Sequence, residues 1–129
     1  MSIKTIQQYL GDTSMITDLK GKDSFDKAKM SAKVTVFDFT ATWCGPCKAT
    51  RPVLEDLSSE YEKKKAEVKF FSIDIDEEDN KPIDEKFDIK AVPTVVFLKN
   101  GEFKNKKLVG MRSKEDYQKT IDALLKVKG

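Results

Sequence analysis

The chain has 129 residues, with 24 Lys and Arg against 22 Asp and Glu and a net charge of +2. That is the length of one domain with a real core, and the charge is too evenly mixed for a dedicated nucleic-acid or membrane surface. Two cysteines and no histidine argue against a disulfide-stapled secreted scaffold and leave a four-ligand zinc site without its ligands. No stretch approaches the roughly 18 apolar residues of a membrane span. The N-terminal MSIKTIQQYLGDT lacks the apolar core of a secretory signal and makes a weak organelle-targeting peptide. The chain is therefore read as cytoplasmic, where a close Cys pair serves catalysis more often than structure.

In chain order, Ile3, Ile6 and Leu10 give a faint helical spacing closed by Gly11. A brief strand is predicted from Met15 to Leu19. A helix capped by Asp23 follows, running through Phe25 to about Met30. VTVFDFT, residues 34–40, is apolar on both faces and reads as a central strand covered on both sides. Val53, Leu54, Leu57 and Tyr61 recur at helical spacing, so a long helix is predicted from about Cys44 to Lys64, kinked at Pro52. The run Lys63-Lys64-Lys65 then falls at its C-terminal end, where cations complement the helix dipole.

VKFFSIDI, residues 68–75, is the next strand, and a short helix is predicted from Ile83 to Phe87. TVVFLK, Asn100-Gly101 and a strand to about Val109 spell a hairpin with a type I′ turn. Ser113 and Asp116 open a last helix whose apolar stripe is Tyr117, Ile121, Leu124 and Leu125. Parallel βαβ units feeding an antiparallel edge give an α/β fold, a three-layer α/β/α sandwich around a mixed sheet. The domain is expected over 14–129, with 1–13 as an N-terminal extension.

Both cysteines lie in TATWCGPCKAT, residues 40–50, separated only by Gly45 and Pro46. A bridge closing so short a loop constrains the unfolded chain little, so it is a poor structural staple. A redox couple that opens and closes is the better reading. Cys44 sits where a buried strand turns into a long helix, and the unpaired N–H groups and dipole there stabilise a thiolate. This makes Cys44 the nucleophile and Cys47, one turn further in and more buried, the resolving thiol. Asp38, the only charged residue of its strand, is the candidate proton acceptor, with a pKa raised by desolvation. Pro46 stiffens the first helical turn, which favours a reductant over an oxidant. Trp43 is expected on a docking surface.

The residues TWCGPCK, with DFTAT ahead and AVPT downstream, resemble the thioredoxin family, and the order of elements agrees over roughly residues 14 to 127. The resemblance implies the thioredoxin fold and a dithiol-disulfide oxidoreductase that reduces protein disulfides, peroxiredoxins among its substrates. It also implies that no separate cofactor is bound, the redox-active disulfide being re-reduced with NADPH by thioredoxin reductase, and a monomer is the default expectation. Pro93 matches a cis proline facing the disulfide, and the backbone of Val92 would pair with an extended substrate segment. Gly110 matches a glycine of the same docking surface, which also takes in Trp43, Gly45 and Pro46. Pro52 matches the kink proline of the active-site helix. The chain departs from the family at Ser72, where many bacterial members carry a lysine near the buried Asp, and at Thr40, a place often filled by an aromatic. The segment between Asp76 and Pro93 is also longer. A scaffold with incidental thiols, or an oxidant or isomerase, are the competing readings.

Overall fold

The computed structural model describes residues 16–127. The expected helical spacing over 1–12 and the 1–13 extension lie outside the described residues. Five strands form one sheet in the order β1-β3-β2-β4-β5: β1 (Ile16–Leu19), β2 (Val34–Thr40), β3 (Val68–Asp74), β4 (Thr94–Lys99) and β5 (Glu102–Val109). Strands β1, β3 and β2 run parallel, and β4 and β5 are antiparallel additions. The helices are α1 (Lys22–Ala28), α2 (Gly45–Lys63), α3 (Lys81–Lys86) and α4 (Lys114–Lys126).

Side-chain alternation along β2 divides the core in two. Val34 and Val36 meet Leu54, Leu57 and Tyr61 of α2 and Tyr117, Ile121 and Leu124 of α4. Phe37 and Phe39 point the other way, to Phe25 of α1, Ile83 of α3 and Phe87. Helices thus cover both faces of the sheet, as the apolar run VTVFDFT requires, and Asp38 shares the α2/α4 face with Val36. Tyr61 donates its hydroxyl to Asp122 Oδ1 at 2.7 Å, tying α2 to α4. Lys99, buried at the end of β4, donates to the carbonyls of Leu124 and Val127 and so satisfies the C-terminal end of α4.

The hairpin has the expected two-residue loop, with φ of 52° at Asn100 and 81° at Gly101, as a type I′ turn demands. Ser113 caps α4 by accepting from the Asp116 N–H at 3.2 Å. Two helices differ from expectation at their boundaries. Asp23 does not cap α1: Gly21 holds that position, Asp23 lies within the first turn, and the helix ends at Ala28 rather than Met30. Its end is tightened by short-range bonds from Met30 N–H to Lys27 O and from Ser31 N–H to Ala28 O. Helix α3 starts at Lys81 rather than Ile83, because Pro82 suits the first helical turn and a 3₁₀ turn, Glu78–Asn80, leads into it.

Candidate active site

The disulfide is placed by the junction of β2 and α2. Cys44 is the N-cap of α2 in extended conformation, with its N–H bonded back to Ala41 O at 3.2 Å. Pro46 occupies the first turn, where a missing N–H removes nothing. The Cys47 N–H, one of the helix's unpaired donors, points at Cys44 Sγ from 3.1 Å. Cys44 and Cys47 are joined as a disulfide with Cα atoms 5.3 Å apart. Both are buried, at 4% and 2% exposure, so Cys47 is only marginally the deeper. Gly45 and Pro46 between them are exposed.

A second segment closes over the pair. The Val92–Pro93 bond is cis, and the Val92 carbonyl oxygen lies 3.7 Å from Cys44 Sγ. Pro93 itself is buried, and its carbonyl accepts from the Gly110 N–H at 2.8 Å. Gly110 adopts φ of 83°, a conformation that suits a residue without Cβ. The structure therefore brings Gly45, Pro46, Val92, Pro93 and Gly110 together around the disulfide, and Trp43 stands beside it with 67% of its surface exposed.

Asp38 is 2% exposed, and its Oδ1 has no hydrogen-bond partner. In register it faces Ser72 on β3 and Val95 on β4. Burial pushes its carboxyl up to about 7, against the opposing pull of the Arg51 guanidinium. Asp38 and Cys47 line one cleft of about 460 Å³, with Thr40, Lys48, Arg51 and Ser72 among its other walls. The small Ser72 leaves this space open. A carboxyl titrating near neutrality in the same cleft as a thiol can take up that thiol's proton.

Three residues of this region escape a reading of the sequence. Asp76 accepts a 2.7 Å hydrogen bond from Trp43 Nε1, a contact 33 residues apart in the chain. Arg51 lies in a stretch that reads as a solvated helix face, and only its i+4 spacing from Cys47 hints at a shared side. Met111, 59% exposed next to Gly110, adds an apolar side chain to the surface near Pro93. Among the described residues, no group of three or more His, Cys, Asp or Glu is placed to hold a metal ion.

Residues 17–123 match the family model described as Thioredoxin. A thioredoxin H-type of Oryza sativa subsp. indica is 44% identical over 104 residues, spanning 78% of this chain and 79% of its own. A single-site mutant of the thioredoxin from Halobacterium salinarum superposes with a TM-score of 0.77 at 25% identity, covering 91% of this chain and 96% of that one. A chain from a structure on the thiol resolving mechanism of yeast mitochondrial 1-Cys peroxiredoxin via glutathione/thioredoxin systems is also similar. It has a TM-score of 0.72 at 31% identity, covering 84% of this chain and 94% of that one.

Proposed function

The chain belongs to the thioredoxin family and is a dithiol-disulfide oxidoreductase, and from that premise we propose that it is a general reductant of protein disulfides, Cys44 attacking and Cys47 resolving. In the reduced protein the Cys44 thiolate displaces one sulfur of the substrate disulfide, which leaves as a thiolate, and a mixed disulfide forms. Cys47 then passes its proton to the Asp38 carboxylate and attacks Cys44 Sγ. The second substrate sulfur leaves, two electrons have moved to the substrate, and the Cys44–Cys47 disulfide remains.

The observation that carries this reading is the Cys47 N–H aimed at Cys44 Sγ at a helix start, which favours charge on that sulfur. Three features support substrate docking: the Val92 carbonyl at the disulfide, the exposed Trp43, and Gly110 bonded to Pro93. An extended substrate segment pairs with the backbone of Val92, and Gly45 and Pro46 give it a flat approach. NADPH electrons return to the couple through a thioredoxin reductase, and peroxiredoxins are among the substrates, a reading supported by the similarity to the yeast chain from the peroxiredoxin study. The working unit is a monomer of the cytoplasm formed by residues 14–129, and among the described residues no helix is long and apolar enough to cross a membrane.

The test is the equilibrium reduction potential of the couple. A value near the thioredoxin range of about −270 mV supports a general reductant, and one near about −120 mV makes the protein an oxidant and overturns the reading.

A further inference from the structure

A carboxyl taken out of water favours its protonated form, so the fraction of Asp38 that is ionised near neutral pH, and able to accept a proton, depends on the positive charge that faces it. Directly opposite it the neighbouring strands place no charge, for its partners in register are Ser72 and Val95. On the same face of the sheet Tyr117 of α4 is fully buried, and burial pushes its phenol up, with the nearby Asp38 charge adding to the rise. The charged groups around the cleft come from three places. Asp18 and Lys20 belong to β1 and the turn after it, Lys48 and Arg51 to α2, and Asp74 and Glu77 to the end of β3 and the following turn.

Among the three cations, Lys20 is two-thirds exposed and lies 3.7 and 3.9 Å from Glu77 and Asp79, which draw it to the rim. Lys48 is exposed. Arg51 is held differently. It follows Cys47 by one helical turn on the same side of α2, and its side chain is one-third exposed. Its Nε donates to Glu55 Oε2 at 3.1 Å, and a terminal nitrogen lies 3.7 Å from Asp18 Oδ1. These two carboxylates hold the Arg51 side chain at the wall of the cleft that it lines together with Asp38 and Ser72.

We propose that Arg51 is the positioning residue that poises this redox centre: acting through Asp38 across the cleft, its charge sets the pH at which Cys47 resolves the mixed disulfide. Arg51 touches neither sulfur nor substrate in this role. It favours the ionised form of Asp38, which burial disfavours, and so keeps a usable fraction of base at neutral pH. The proposal rests on the assignment of Asp38 as proton acceptor. It also gives this chain a cation that reaches Asp38 from the helix, while the neighbouring strand offers only a hydroxyl.

The experiment follows the Asp38 side-chain carboxyl by ¹³C NMR across a pH titration of the oxidised protein. The same variants are then taken through a pH profile of the second-thiol release from Ellman's reagent, a small disulfide that needs no protein docking. In Arg51→Gln the carboxyl midpoint is expected to rise by roughly half a unit or more, and the release profile to move with it. Arg51→Lys keeps the charge and stays near the wild-type midpoint. Ser72→Lys placed in the Arg51→Gln background brings the midpoint back down. An unchanged midpoint in Arg51→Gln overturns the proposal, as does an Arg51→Lys shift of equal size, or a carboxyl shift that the release profile does not follow. These readouts differ from the reduction potential, so a protein that proves to be an oxidant removes the proposed function and leaves the Arg51 result standing.

Discussion

Trp43 donates its indole N–H to Asp76 Oδ2 across 2.7 Å, joining the loop before the disulfide to the turn after β3. The bond holds a largely exposed ring in one orientation beside Cys44. Asp76→Ala frees the ring without touching the core, so the stability loss stays below about 1 kcal/mol. The expected functional change is a several-fold higher KM for a protein disulfide, with small-disulfide reduction unchanged. Since Trp43 is the only tryptophan, its fluorescence anisotropy reports the freed ring directly.

Asp38→Asn separates stability from chemistry. A carboxyl raised from 3.8 to about 7 binds its proton more tightly in the folded than in the unfolded chain. Folding stability therefore falls as pH rises from about 4 to about 7, then levels off, by up to about 4 kcal/mol. The asparagine variant lacks this penalty. Denaturation at pH 8 is expected to show it about 2–4 kcal/mol more stable, with little difference below pH 4. Mixed-disulfide resolution is expected to slow by about 10- to 100-fold at pH 7. Equal stability at both pH values would contradict the burial argument.

Cys44→Ser removes the attacking sulfur and is expected to abolish disulfide reduction. Cys47→Ser keeps the attack and loses the resolution, so substrates accumulate as mixed disulfides on Cys44, detectable by non-reducing electrophoresis and mass spectrometry. Activity surviving in the Cys44 variant would defeat the assignment of roles.

Gly101 turns the β4–β5 hairpin at φ of 81°, and an added Cβ would run into the Met30 thioether. Gly101→Ala is expected to lower stability by about 1–2 kcal/mol in urea denaturation. The turn lies at the end of β4 away from Pro93, so the reduction potential is expected to stay at its wild-type value.

Much of this molecule can be read from local chemistry. The run 34–40 with apolar residues on both faces, the Asn100-Gly101 turn and the Ser113 cap each carry their own signal, and each forms as the residues require. So does the pairing of Cys44 with Cys47 across one helical turn. What escaped depends on contacts distant in sequence. Asn80 sits in EEDNK, which reads as a solvated turn, yet it is fully buried. Its side chain accepts from the Gly21 N–H at 2.8 Å and donates to Asp74 O at 3.0 Å, fastening the start of α1 to the end of β3. Nothing local distinguishes such an asparagine from an exposed one. Arg51 and Asp76 were hidden in the same way, because their partners arrive from β1, β2 and the loop before α2. Pro93 was legible through the family resemblance, whereas its isolated sequence signal is that of a residue starting a strand.

Strand β2 is hydrogen-bonded along both edges, to β3 and to β4, and Asp38 is one residue of that doubly fastened strand. The backbone beneath the carboxyl has nowhere to go when the proton arrives or leaves. On the proposal that Asp38 serves the couple, acidification is expected to reach the sulfurs through the field of its carboxyl and not through movement of this strand. Such a response proceeds as fast as protons exchange through the open cleft, without waiting for a conformational transition of microseconds to milliseconds. On the same proposal the response is graded: the couple is expected to weaken as pH falls through the carboxyl's midpoint, with no threshold to cross.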